Sequence, residues 1–411
     1  LKQARLQIGL AFIGFVVIGI SGGANGVLLP SLSSYYRVDN TVIGLIFITS
    51  SVGYFLSAFT SSLLLEKLGQ RMFLTMGTLA FLLGTLIFTL EPPFIVILAT
   101  RFLIGFGIAI IETGLNAFIV EFRSTSMMNS LHAFFGVGSL IGPVVAAAML
   151  SVWQWNSVYI LLSLICLLLL VGFFTIFIPR PATLSSSKKP KKSETSQAQS
   201  QQNILIAALK LPVVWLAALF LLLYTGAEVS LGNWSYSFLT EGQHLPDLFS
   251  STVVSGFWLG LTMGRFVLSA LSERFGLSPV RLIYLCIGGV VLSSLAIWFV
   301  PLSAPTAVSF CLLGLCLGPI YPTTIALVPR LVSDRLIASA IGFLVSLSTV
   351  GIGLLPWLAG TLIQLAGFWS LLPYIIGLCG LMLLFWWATF RRSSPAQPKA
   401  AKADGTASLP L

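Results

Sequence analysis

Two carboxyl groups in this chain stand where carboxyl groups are rare. Glu112, within ETGLNAF, and Glu228, within YTGAEVSLGNWSYSFL, lie deep inside long apolar runs, far from any connecting segment. An ionised carboxylate at the centre of a hydrocarbon layer costs at least about 2.5 kcal/mol, so each is a candidate functional group by default. Low dielectric favours the neutral acid. A carboxyl that alternates between such surroundings and water therefore takes up and releases a proton, which is the chemistry of proton-coupled transport. His132, in NSLHAFFGVG on the following apolar run, is expected within reach of Glu112 and joins the two acids as a proton-coupling candidate. The plainer reading of a lone His on an apolar helix is a satisfied core residue.

The neighbours of these groups suit a polar solute. Glu112 and Asn116 are four residues apart, on one helical face, where both can hydrogen-bond a polyhydroxylated ligand. Asn233 and Trp234 add an amide and a flat ring beside Glu228, on a run expected to break or bend at Gly226 and Gly232. GGANGVLLP, with Asn25 among three glycines, is the counterpart in the first run. Trp258 and Trp357 are candidates to stack on a sugar ring, against the alternative of a lipid-facing or interfacial belt.

The elements that position these residues must be membrane helices. Hydrophobic residues make up 57% of the chain and charged residues only 8%, against roughly 25% charged in an ordinary soluble domain. The runs are apolar all round and longer than the alternating strands of a membrane barrel, which leaves helices. Runs long enough to cross the bilayer fall near 8–29, 41–65, 71–90, 94–120, 128–150 and 155–178. They resume near 210–240, 249–272, 280–300, 305–329, 336–364 and 368–390, and are numbered spans 1 to 12 in chain order. The first run has no small-residue cleavage site and reads as a retained helix.

With both termini cytoplasmic, Lys67, Arg71, Arg123, the Lys188–Lys192 cluster, Lys210, Arg274, Arg281, Arg330, Arg335 and Arg391 all fall on inside segments. Arg37 is the single base expected in the outside loops. This asymmetry orients the chain in a cell inner (plasma) membrane as a multi-pass protein. The net charge of +10 then reflects topology and lipid headgroups, not a nucleic-acid surface. The expected organisation is a six-helix bundle over 1–180, a basic and polar cytoplasmic linker over 181–203, a second bundle over 204–392 and a disordered cytoplasmic tail over 393–411. The five cysteines sit in apolar runs without paired spacing, so neither disulfide nor metal site is expected. No nucleophile and base pair, metal-spaced cluster or phosphate-cradling loop points to an enzyme, and no cofactor is implied.

The two bundles are related. SLLLEKLG (62–69) aligns with SALSERFG (269–276) at an offset of 207, and GVGSLIGP (136–143) aligns with GIGLLP (351–356), matching Gly138 to Gly351 and Pro143 to Pro356. Span 2 thus falls on span 8 and span 5 on span 11, a parallel duplication with a midplane site between its halves. Two joined halves make a monomer sufficient for alternating access.

These residues resemble the major facilitator superfamily. Its signature between spans 2 and 3 is similar to Ser62, Leu64, Glu66, Lys67, Gly69, Gln70 and Arg71; its fourth-span signature to Arg101, Gly105, Gly107 and Ala109; and its fifth-span signature to Gly138, Gly142 and Pro143. The resemblance implies an all-α membrane protein of twelve transmembrane helices in two pseudo-symmetric six-helix bundles. Glu66, with Lys67, Arg71 and Arg101, and Glu273 with Arg274 in the second half, are the gating candidates. Glu66 is expected to accept hydrogen bonds from a helix N-terminus and a base in one access state, the alternative being interfacial charges that merely end a helix.

NGVLLPSL, ETGLN and GPIYPT (318–323) are similar to motifs of the fucose-permease-like sugar:proton symporters, which implies a sugar moved with a proton, Glu112 as the matching acid and Tyr321 in the substrate site. Where that group carries an aspartate in the first span, this chain has Gly26 beside Asn25, so Glu228 is the candidate substitute, the alternative being an uncoupled or differently coupled carrier. The expected partners are a small-molecule substrate, protons and the lipid bilayer. An exporter of amphipathic drugs, a flippase of a lipid-linked sugar and a non-transporting receptor or scaffold are the competing readings.

Overall fold

The computed structural model describes residues 2–177, 204–300 and 302–392; the expected linker over 181–203 and tail over 393–411 lie outside the described residues. Among the described residues eleven helical stretches are long and apolar enough to cross a membrane. One of these, Asn40–Thr89, is 50 residues long. At 1.5 Å per residue it would measure about 75 Å as one rod, more than twice the hydrocarbon thickness. It is instead two crossings, because Gly69 takes φ 69 and breaks the helix between spans 2 and 3. The total is twelve, at the positions that hydropathy predicts.

Span 1 is Lys2–Tyr36, spans 2 and 3 share Leu45–Thr89, and spans 4, 5 and 6 are Phe94–Val120, Thr125–Leu150 and Asn156–Ile176. Span 7 is Pro212–Ser237, span 8 Asp247–Arg274 and span 9 Pro279–Phe299. Span 10 is divided at Gly318 and Pro319 into Ser303–Leu317 and Ile320–Leu331, and spans 11 and 12 are Ile337–Ala366 and Leu371–Arg392.

The expectation that span 7 bends at Gly226 and Gly232 is corrected. The helix runs unbroken through both glycines and changes pitch only at a π-helical turn, Phe238–Gly242. These glycines serve close approach instead: a Cβ on Gly226 would strike Leu355, and one on Gly232 would lie 2.6 Å from the Trp258 ring. Span 1 is likewise continuous through its Gly-rich centre and through Pro30.

The duplication is physical. Gly69 and Gly276, equivalent at the offset of 207, both have positive φ, 69° and 63°. Added methyls on Gly138 and Gly351 would collide with backbone, of Val16 and Ile20 in span 1 and of Leu222 in span 7 respectively. Each half therefore seats its fifth helix on its first through the same glycine.

Candidate functional site

The site is built where the halves face each other. Span 4 carries Glu112 toward span 2, whose Tyr54 hydroxyl donates to Glu112 Oε2 at 2.9 Å. Span 7 carries Glu228 toward span 8, where Arg265 Nη2 lies 3.7 Å from Glu228 Oε1. Tyr224, one turn before Glu228, lies within electrostatic reach of both members of this pair. Tyr321, at the start of the second segment of span 10, lies within electrostatic reach of Glu112, Glu228 and Arg265 together, and its ring is 6.1 Å from that of Tyr224. Tyr54 and Tyr321 are also within reach of each other. A chain of phenols thus connects the two acids across the boundary between halves.

Arg265 is the group that inspection of motifs overlooks. Its signal is a base in the middle of an apolar run, GLTMGRFVLS, as conspicuous as either acid. It neutralises Glu228, so the two carboxyls are not equivalent: Glu112 faces a neutral phenol and Glu228 faces a guanidinium. The pair is not sealed, since the side chains of Arg265 and Glu228 keep 31% and 14% of their exposure. Arg265 Nε has no hydrogen-bond partner among the described residues, and neither has the buried Oδ1 of Asn116, one turn from Glu112.

His132 does not meet Glu112. It stands edge-on to Phe15 at 5.5 Å and within electrostatic reach of Arg265. The reason is the crossing of spans 5 and 8, which run antiparallel and touch where Gly136 leaves 2.8 Å between an added Cβ and Thr262 Cγ2. One turn back on span 5 faces one turn forward on span 8, which brings His132 toward Arg265 in the other half.

The remaining candidates divide. Trp234 is 1% exposed, donates its indole N–H to Pro356 O at 2.8 Å and packs on Phe47, so in this conformation it belongs to the seam between halves and not to an open cleft. Asn233 backs onto Gly26 and spends its Nδ2 on Val229 O. Trp258 is buried against Gly232, and Trp357 packs beside Gly44. Asn25 accepts from Arg101 Nη1 at 3.1 Å, and Arg101 also lies within electrostatic reach of the Tyr159 hydroxyl and 6.0 Å from the centre of the Phe88 ring. Arg101 therefore ties spans 1, 3, 4 and 6 together, well away from Glu66. Seven residues into span 4, it is at the opposite end of the bundle from the other gating candidates.

At the loop between spans 2 and 3, Glu66 and Lys67 are exposed, and among the described residues no hydrogen bond or ion pair reaches Glu66. Arg71 turns back over the Phe174 ring at 4.1 Å, and Gln70 Nε2 donates to Gly114 O. Arg274 is exposed in the second half; the side chain of Glu273 lies outside the described residues.

The halves are closed against each other at the end that carries Arg37. Among the described residues two hydrogen bonds cross between them, Ser51 Oγ to Thr349 O at 2.6 Å and Asn40 N to Gln364 Oε1 at 3.1 Å. Both lie between the bundle centre and that end, as does the contact of Gly26 with the backbone of Gly232 and Asn233. The water-accessible His132, Arg265 and Glu228 are thus approached from the Glu66 end.

Comparison with known proteins agrees with this architecture. The family model for the Major Facilitator Superfamily matches residues 11–310 and 252–411. The Bypass of stop codon protein 6 of Saccharomyces cerevisiae is 26% identical over 410 residues, covering 92% of this chain and 80% of that one. The Glucose/mannose transporter GlcP of Bacillus subtilis is 26% identical over 329 residues, 78% of each chain. A solved bacterial homolog of the human lysosomal transporter Spinster, in an inward-facing and unoccupied conformation, superposes with a TM-score of 0.77 over 96% of this chain and 99% of that one. At 12% identity that likeness shows the fold alone.

Proposed function

Because the chain belongs to the major facilitator superfamily, we propose that it is a secondary active transporter that moves a sugar or sugar-like polar solute by alternating access, driven by protons through Glu112. The observation that carries this reading is the asymmetry of the two central acids. Glu228 has a fixed counter-charge in Arg265, whereas among the described residues the one direct partner of Glu112 is the Tyr54 hydroxyl. A carboxyl without a cation is stable in low dielectric when protonated and stable in water when ionised. Glu112 is thus the group whose proton follows the opening of the cleft, and Glu228 with Arg265 is the ion-paired wall opposite it. Relatives named as sugar transporters support the solute class.

Tyr54, Asn116 and Tyr321 supply hydroxyl and amide partners for a polyol around Glu112. Asn25, Asn233, Trp234, Trp258 and Trp357 act in the opposite access state, when the seam they form parts. Glu66 engages as a latch only when the Glu66 end closes, which fits its exposure here. The basic segments favour a cytoplasmic position for that end in a cell inner (plasma) membrane, and two joined halves make a monomer sufficient.

Uptake of labelled glucose into proteoliposomes tests the reading. An imposed inward proton gradient should drive accumulation in the wild type and not in Glu112→Gln, while counterflow exchange persists in the variant. Gradient-independent uptake by both proteins would overturn proton coupling. Efflux of lipophilic dyes without glucose uptake would overturn the solute class.

A further inference from the structure

One cavity lies away from the central acids. It holds about 890 Å³ at the Arg37 end, between spans 1 and 5 of one half and spans 7 and 8 of the other. That volume is within the roughly 300–1,000 Å³ of small-ligand pockets. Its floor is the seam itself: Val27 lies next to Gly26, and Tyr236 and Ser237 stand one turn beyond the Asn233 that Gly26 touches. A solute resting there is one helical turn from the point where the halves must part.

The walls differ in chemistry. On the side of spans 7 and 8, Glu241 and Asp247 offer carboxylates, with Tyr236 within electrostatic reach of both. On the side of spans 1 and 5, Trp153 and Trp155 offer indole rings. Trp153 is 61% exposed and therefore free to stack on a ligand. Trp155 is 4% exposed, yet its indole N–H is a buried donor with no hydrogen-bond partner among the described residues. Hydroxyls fill the space between, from Ser31, Ser34 and Thr240 among others. Among the described residues no Lys, Arg or His side chain lines the cavity, so an anionic solute is repelled.

Acceptors on one wall, a flat apolar ring on the other and many small hydroxyls form the pattern that holds a neutral polyol, whose hydroxyls bond the carboxylates while its C–H face lies on an indole. The same carboxylates and rings would also draw an organic cation; the polyol is preferred because it is the solute class of the sugar reading. We propose that this vestibule is a second binding site for a polyhydroxylated solute, separate from the central site and occupied while the Arg37 end is closed. The solute class rests on the sugar reading above; the existence of the site rests on the cavity. Such a site raises the local concentration of solute at the seam before it opens.

Equilibrium dialysis of the purified protein against labelled glucose tests this, with Trp153→Ala and Glu241→Gln as variants. Both residues are exposed, so neither substitution threatens folding. The wild type should bind two equivalents per chain. Each variant should keep one class unchanged and weaken the other about five- to tenfold, the worth of one stacking or charged hydrogen-bond contact. Glu112→Gln should disturb only the class that the vestibule variants leave alone. One equivalent in the wild type, unaltered by Trp153→Ala and Glu241→Gln, would overturn the vestibule site and leave the central site standing. Binding of choline in place of glucose, lost in Glu241→Gln, would overturn the polyol assignment. Absence of any glucose binding, together with no proton-driven uptake, would remove the sugar reading and the vestibule's ligand with it.

Discussion

The two halves of this transporter are alike in backbone packing and unlike in chemistry. Gly138 and Gly351 seat equivalent helices on equivalent partners, and Gly69 and Gly276 turn the chain in the same left-handed conformation at equivalent positions. The acids obey no such symmetry. Glu112 is on the fourth span of its half and is bonded to a phenol, while Glu228 is on the first span of its half and is paired with a guanidinium. Close packing tolerates no Cβ where two helix backbones touch, so those positions stay fixed through a duplication. A polar side chain facing an aqueous cleft has no such constraint, and the halves are free to differ, one presenting a carboxyl bonded to a phenol and the other an ion pair.

The largest effect expected from this contrast is at Glu112. Glu112→Gln should lose proton-driven uptake outright, whereas Glu228→Gln should retain a response to the gradient if folding is preserved; equal loss in both would erase the distinction between the walls. Next come the shared glycines. Gly138→Ala and Gly351→Ala should each destabilise the protein by about 1–3 kcal/mol, as overpacking of a tight contact does, and by similar amounts in the two halves. Thermal melting in detergent measures this, and a tolerant Gly351 beside an intolerant Gly138 would mean that the packing symmetry is only apparent.

A smaller difference should separate single from paired neutralisation of the charged wall. Arg265→Gln leaves Glu228 without its counter-charge, and Glu228→Gln leaves Arg265 without its own. The double variant should therefore melt above either single one, by about 1 kcal/mol because both groups are partly hydrated. The smallest effect belongs to Tyr54→Phe. Removing one hydrogen bond to Glu112 is worth about 1 kcal/mol, roughly fivefold in the affinity of the driving proton, read as a shift in the pH dependence of uptake. The phenol donates to the ionised form, so its loss should move the profile to higher pH. An unmoved profile would detach Tyr54 from the titrating wall.

Much of this was legible in the residues alone. Burial in hydrocarbon imposes long apolar runs, so the twelve crossings and the ends that Gly69 and Gly276 mark follow from hydropathy and a repeat. Intramembrane charge is costly enough that Glu112 and Glu228 identify themselves, and Arg265 would have done so under the same rule. What linear inspection misjudged was rotation and contact. Gly226 and Gly232 look like hinges in a sequence, but whether a glycine bends a helix or admits a neighbour depends on what lies across from it, here Leu355 and Trp258.

The same distinction separates what each level decides. The one-dimensional pattern determined solvent, span number, duplication and which side chains are too polar for their depth, because each of these depends on a residue and its near neighbours. Tertiary structure decided that His132 faces Arg265 and not Glu112, that Trp234 closes a seam, that Glu228 has a counter-charge and that a cavity persists at the Arg37 end. Those outcomes depend on the angle at which one helix rolls against another, which is set by side-chain packing between segments that are not neighbours in the chain.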